Sequence, residues 1–422
     1  MANKNLRRIK VSNFLSFNKE PQEMFFTAET KYSSSSSFRC DLIPVSTNKK
    51  ESILPVTVLY GANASGKSNF FKIFKILNKI LNRTDINPNS KLPYKPFDAN
   101  IEPVCFELEF VINDVIYKYT LQYSLSEIIH EELSTFNSNN SLKRLYTRSK
   151  NDVRWHKDLT TITKNIKNEV KERLATRKDV TILEILNLRN IEPYAASHEF
   201  LSQSYSSGTA KKLFYNPLLK NRVLSFLKHA DVGIIDLKIE KMPEQARVDL
   251  LKKIGKFDIT ESDVSDDIFY FPLFKHNGIK KQISLSEESL GTKEYLEILT
   301  DIIPMFLEDG GIFIADELGA NLHPLLMKEI ITMFHDKRIN RQGAQLIVTS
   351  HDIALMSKSI LNRDEIWFIE KDPEKGESIL YPLSHFNDIR NSYDFKIGYL
   401  EGRFGGIPYL SKTDTLANLL QE

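Results

Sequence analysis

The chain has 422 residues, and its 57 Lys plus Arg against 55 Asp plus Glu leave a net charge of +2, too small to set up a global field for nucleic acid or an anionic membrane. Its two cysteines, Cys40 and Cys105, have no CxxC spacing and no disulfide framework, so both read as reduced thiols and a cytoplasmic location is expected. Lys4, Arg7, Arg8 and Lys10 interrupt any secretory segment after Met1, and no run approaches the roughly 18 apolar residues of a membrane helix.

The length allows two or three domains. Ser33 to Ser37 is a low-complexity run between strand-like pieces and is expected to be a mobile loop. Leu54 to Tyr60 is apolar and β-branched, as a buried parallel strand should be. Gly61-Ala62-Asn63-Ala64-Ser65-Gly66-Lys67-Ser68 follows at once and fits the phosphate-binding P-loop in full. Gly61 and Gly66 let the backbone curl so that the N–H groups around Asn63, Ala64 and Ser65 point inward at phosphate oxygens. A helix is predicted from about Lys67, with Phe70, Phe71, Ile73, Phe74, Ile76 and Leu77 on its apolar face; its N-terminus near Asn69 adds partial positive charge. Lys67 is placed to reach the β- and γ-phosphates of ATP, and Ser68 to give a hydroxyl to Mg²⁺.

Next come two alternating strands, Pro103–Phe110 and Val115–Thr120, joined through Asn113-Asp114 as a hairpin. Gln122 sits in this alternation and reads as a face residue. Leu159 to Asn187 has helical spacing at Ile162, Ile166, Val170 and Leu174, too short for sustained coiled-coil heptads. Residues 141–178 are basic, with Lys143, Arg144, Arg148, Arg154, Lys164, Lys167, Lys171 and Arg173 among them. Two readings stay open: a docking face for nucleic acid or an acidic protein, or a solvated helix face. Ala230 to Glu240 returns as a strand.

Leu285 to Lys293 (Leu-Ser-Glu-Glu-Ser-Leu-Gly-Thr-Lys) places Ser289 and Gly291 at a helix start, where a hydroxyl and free N–H groups can meet an anion. Gly311 to Glu317 is an apolar strand ending in two carboxylates. Asp316 is placed to hold Mg²⁺ with Ser68, and Glu317 to polarise a water aimed at the γ-phosphate. Gln345 to Asp352 is another buried strand, ending in His351.

In this order, the four segments resemble the ABC-type ATPase heads of the SMC, RecF and OLD-nuclease branch. Leu6 to Phe17 looks like their first strand and Asn-Phe-x-Ser-Phe turn, and Asn321-Leu322-His323-Pro324 is similar to the loop of the RecF/OLD-like group. The Glu-Ser-x-Gly-Thr signature and the tail Tyr399-Leu400-Glu401-Gly402-Arg403-Phe404-Gly405-Gly406-Ile407-Pro408 look like the standalone "AAA family fifteen" ATPases, similar to the RloA type and the AriA subunit of PARIS. The resemblance implies an α/β fold: an ABC-type P-loop head of a β-rich lobe and a RecA-like lobe, with a mainly helical insertion. The expected parts are 1–130, an insertion 131–261, and 262–422. The resemblance also implies that Ser289 and Gly291 contact a nucleotide held by a second subunit, in a homodimer or larger homo-oligomer, and that His351 senses the γ-phosphate. Leu290 replaces the first glycine of the transporter signature. The function implied is an ATPase of an anti-phage system that controls a separate nuclease (TOPRIM-like or other) or toxin, with a phage-encoded trigger. The competing reading is a DNA-repair or chromosome-maintenance ATPase that binds DNA directly.

Overall fold

The computed structural model describes residues 4–28, 40–45, 51–83, 87, 90–137, 141–157, 161–202, 213, 216–230, 233–244, 246–247, 270–386 and 394–408; the serine run at 33–37 lies outside them. The chain runs through β1 (Lys4–Ser12), β2 (Gln22–Phe25), β3 (Val56–Tyr60) and α1 (Lys67–Leu81). Five strands follow: β4 (Val104–Ile112), β5 (Val115–Tyr123), β6 (Ile128–Phe136), β7 (Leu142–Ser149) and β8 (Asp152–Trp155). Helices α2 (Lys164–Thr176), α3 (Ile182–Asn187), α4 (Tyr194–Ser202) and α5 (Pro217–His229) lead to β9 (Ile234–Lys241) and β10 (Tyr270–His276). The last part holds α6 (Leu290–Pro304), β11 (Ile312–Ala315), α7 (Pro324–His335), β12 (Gln345–Thr349), β13 (Ile366–Lys371), β14 (Ser378–Pro382) and α8 (Phe395–Leu400).

Two sheets make the head. The first is antiparallel, in the order β8-β7-β6-β5-β4-β1-β2. Its hairpin β4–β5 turns on Asn113 (φ 48°) and Asp114 (φ 64°), the left-handed pair that a two-residue loop matched to strand twist requires. The second sheet has the order β11-β12-β3-β13-β14, with its first four strands parallel. All five residues of β3 are buried, which is why it reads as an unbroken apolar run. Helix α1 lies in one core with the antiparallel lobe: Phe70, Ile73, Phe74 and Leu77 pack in the same cluster as Phe106, Phe110 and Tyr119. Among the described residues no helix is long and apolar enough to cross a membrane.

The mainly helical insertion expected over 131–261 is mixed instead. The antiparallel sheet continues through β6, β7 and β8 to Trp155, and the helices begin only at Lys164. The strand period was hidden because two of its inward positions are charged. Glu131 and Arg148 are both fully buried, 3.6 Å apart. Arg148 donates to the carbonyls of Lys150 (2.6 Å), Val180 (2.6 Å) and Lys178 (3.1 Å). Glu131 accepts the hydroxyl of Tyr146 (2.8 Å) and the first N–H groups of α3, from Ile182 (2.8 Å) and Leu183 (3.1 Å). A buried charge is tolerated only when it is paired and hydrogen-bonded in this way. Arg148 therefore leaves the candidate docking face. Arg177 is also committed, to Asp179 and to the Arg83 carbonyl. Lys164 and Lys171 stay exposed on α2. At the other end of the insertion, β9 pairs antiparallel with β10, so it joins the part beyond residue 261.

Candidate nucleotide site

The phosphate loop leaves β3 at the centre of the parallel sheet, and each glycine has a steric reason. A side chain on Gly61 would collide with the backbone oxygen of Ile369, and one on Gly66 (φ 113°) with the hydroxyl of Ser378. The loop is braced from two sides. Ser378 Oγ donates to the Ser65 carbonyl (2.6 Å). Asn69 Nδ2 donates to Ser16 Oγ (3.0 Å), in the turn after β1. The Lys67 ammonium, folded inward, donates to the carbonyls of Gly61 (2.7 Å) and Ala62 (2.9 Å). Burial pulls its pKa below the ordinary lysine value, and the charges of Glu317 and Asp316 oppose that shift. Asn63 and Ala64 are exposed at the tip, with Ala64 in the left-handed region (φ 62°).

The two distant segments meet with one strand between them. β12 pairs with β11 on one side and β3 on the other, so Asp316 emerges beside the loop. A cavity of about 310 Å³ is lined by Ser68 and Asp316 among others. A hydroxyl and a carboxylate across one cavity are the oxygen donors that Mg²⁺ takes. Thr349, at the end of β12, ties the acid pair together: its hydroxyl donates to Asp316 Oδ1 (2.8 Å) and accepts the Glu317 N–H (2.6 Å). Glu317 takes a left-handed backbone (φ 57°). Its carboxylate lies 3.8 Å from His351 Nε2, both side chains being about half exposed (58% and 46%). Both line a cavity of about 340 Å³. His351 also lines a third, of about 490 Å³, with loop residues 61–65, Lys371 and Tyr399.

Ser289 and Gly291 line none of these three cavities. Ser289 is the N-cap of α6 and accepts the Thr292 N–H (3.0 Å). A Cβ on Gly291 would meet the Asn321 carbonyl at 2.6 Å. One turn on, the Glu294 carboxylate accepts the N–H groups of Gly319 (2.7 Å) and Asn321 (3.2 Å). Helix α6 is thus bolted to the turn that follows Glu317. Thr349, Glu294 and Lys371 went unread in the sequence. Only the threonine left a signal there, as a polar residue ending an apolar strand.

Loop, carboxylate strand and cation pocket define a P-loop ATPase head. The chain belongs to the family described as "AAA domain, putative AbiEii toxin, Type IV TA system", whose model matches residues 56–357. Among solved structures it is similar to an SMC head bound to the C-winged helix domain of ScpA (10% identity, 89% of this chain and 97% of that one, TM-score 0.41). It is similar also to the SMC head domain from Thermotoga maritima (15%, 90% and 98%, 0.37). A third is an Smc head with coiled coil and joint from Pyrococcus yayanosii (10%, 96% and 100%, 0.44). Likenesses this distant add nothing to the fold assignment, which rests on the strand order and the loop. No curated protein matches the chain in sequence.

Proposed function

We propose that this chain binds and hydrolyses ATP with Mg²⁺, and that it is the sensor and scaffold subunit of an anti-phage defence system acting in the cytoplasm. One observation carries the first half: the loop that carries Lys67, the pair Ser68 and Asp316, and the pair Glu317 and His351, brought by three strands, line three cavities, two of which share His351. Lys67 neutralises charge on the outer phosphates, Glu317 orients the attacking water, and His351 reads the γ-phosphate. Ser68 and Asp316 would hold Mg²⁺, which would supply further charge neutralisation. Lys67→Ala should abolish binding. A fluorescent ATP analogue that saturates the parent should give no saturable signal with the variant, and unchanged affinity would sink the assignment.

Assembly follows from where Ser289 stands. It lines none of the three cavities, so a contact with nucleotide needs a second copy. Leu290 beside it is 65% exposed and Leu325 68%, as an unpaired interface would be. The Glu317→Gln variant with ATP should scatter light as a dimer or larger; a strict monomer at tens of micromolar, where a moderate interface is populated, would refute the sandwich.

The defence reading is supported by the family's toxin and toxin–antitoxin description and by the resemblance of the Tyr399–Pro408 tail. In it, ATP state controls a separate nuclease or toxin captured by the head and released by a phage-encoded trigger. The exposed face of α2 around Lys164 and Lys171 is the candidate dock, since charge steers a partner without a large apolar patch. Charge reversal at Lys164, Lys167 and Lys171 should weaken capture of that nuclease or toxin while ATP hydrolysis survives. If the purified chain instead binds DNA ends tightly at physiological salt with no partner, the repair reading wins.

A further inference from the structure

The 490 Å³ cavity has a wall that no phosphate-loop motif accounts for. Besides His351 and the loop it is lined by Glu370 and Lys371, at the end of β13, and by Tyr399, Gly406, Ile407 and Pro408 of the C-terminal turn. Strand β13 runs parallel to β3 with Phe368 level with Tyr60. It therefore continues past the end of β3 at Tyr60, alongside the loop, and ends at Lys371. The cross-strand partner of Lys371 is Ser378, whose hydroxyl holds the Ser65 carbonyl. Directly paired residues stand about 5 Å apart, so Lys371 sits next to the residue that braces the loop. The hairpin that carries it is stiff. Asp372 accepts the N–H groups of Glu374 (2.8 Å) and Lys375 (2.9 Å) and closes back to Glu377 (2.8 Å).

The turn is built as firmly. Phe368 stacks between Tyr399 (5.6 Å, 11°) and Phe404 (6.0 Å, 24°). Tyr399 donates its hydroxyl to the Gly406 carbonyl (2.9 Å), and Tyr381 donates to that of Phe404 (2.9 Å). Gly405 and Gly406 both have positive φ (65° and 66°), and a Cβ on Gly405 would run into the Tyr381 hydroxyl. This end of the site is assigned to the outer phosphates because it is bounded by His351, read above as the γ-phosphate sensor, and by the first half of the loop. Lys371 is exposed, and no carboxylate pairs with it among the described residues.

We propose that Lys371, backed by the turn 399–408, is a second cation for the γ-phosphate and makes the site discriminate a nucleoside triphosphate from a diphosphate. This rests on the nucleotide reading above. An ammonium lining this cavity with His351 and loop residues 61–65 meets charge that ATP carries and ADP lacks. The test is the affinity of Lys371→Ala for a non-hydrolysable ATP analogue and for ADP, both with Mg²⁺. The analogue should bind at least about tenfold more weakly, about 1.4 kcal/mol, with ADP within about twofold of the parent. Lys371→Arg should restore most of the difference. Equal losses for both nucleotides, or none, overturn the proposal. A melting temperature unchanged without nucleotide excludes a folding defect, as expected for an exposed side chain. In the parent, an ATP analogue with a photoreactive group on its γ-phosphate should label residues 366–371 or 399–408; labelling confined to other segments also overturns it. If the parent binds neither nucleotide, or Lys67→Ala binds as the parent does, the nucleotide reading itself falls.

Discussion

Glu317→Gln is expected to bind ATP as the parent does and to turn it over at least about 10²-fold more slowly, the scale set by losing a positioned general base. The geometry gives the reason. Its N–H is held by Thr349, its carboxylate lies beside His351, and its left-handed backbone turns it off the strand end into the cavity. The amide keeps size and hydrogen-bonding reach but cannot take a proton from water. Steady-state phosphate release measures turnover and analogue binding measures affinity. Turnover within about twofold of the parent would remove Glu317 from the chemistry, since even weak general-base effects exceed that. A parallel loss of affinity would mean that the side chain holds the loop rather than the water.

The second large effect is on stability. Glu131→Ala should destabilise the fold by about 3–5 kcal/mol, because removing one partner of a buried pair strands the other. Arg148 would keep its three carbonyls but lose its counter-charge, and the N–H groups of Ile182 and Leu183 would lose their acceptor. That unpins α3 from the sheet. A loss of this size is a large share of the roughly 5–15 kcal/mol that holds a domain together. Urea unfolding measures it, and Glu131→Gln should recover part by still accepting those N–H groups. A loss under about 1 kcal/mol, the range of an exposed pair, would show that Glu131 does not hold this junction. Neither residue lines the nucleotide cavities, so analogue binding by the folded fraction should be unchanged.

The chain announces its local devices in order. Strand β3, the loop and α1 were legible because a buried parallel strand, two glycines in tight backbone and one apolar helix face each leave a short-range pattern. The hairpin was legible through Asn113-Asp114, whose left-handed preference is intrinsic to those residue types. Ser289 could be placed at a helix start because N-capping is also local. In β6 and β7 the same logic failed. Alternation signals a strand only while inward positions are apolar, and Glu131 with Arg148 broke it by pairing with each other.

Sequence by itself therefore determined the nucleotide motifs, the strands that carry them and the candidate residues for phosphate and cation. These are properties of residue type at fixed spacing, and no fold is needed to state them. Tertiary structure alone decided which groups share the cavity. Thr349 reaches Asp316 only because β12 lies beside β11 in register; Glu294 holds the turn after Glu317 only because α6 packs there; and the turn at 399–408 joins residues 61–65 only because β13 runs alongside β3. Parallel strands have partners set by crossover connections a dozen or more residues long. Contacts across such a sheet leave no short-range mark in the chain, and appear only when burial of the apolar strands sets their order.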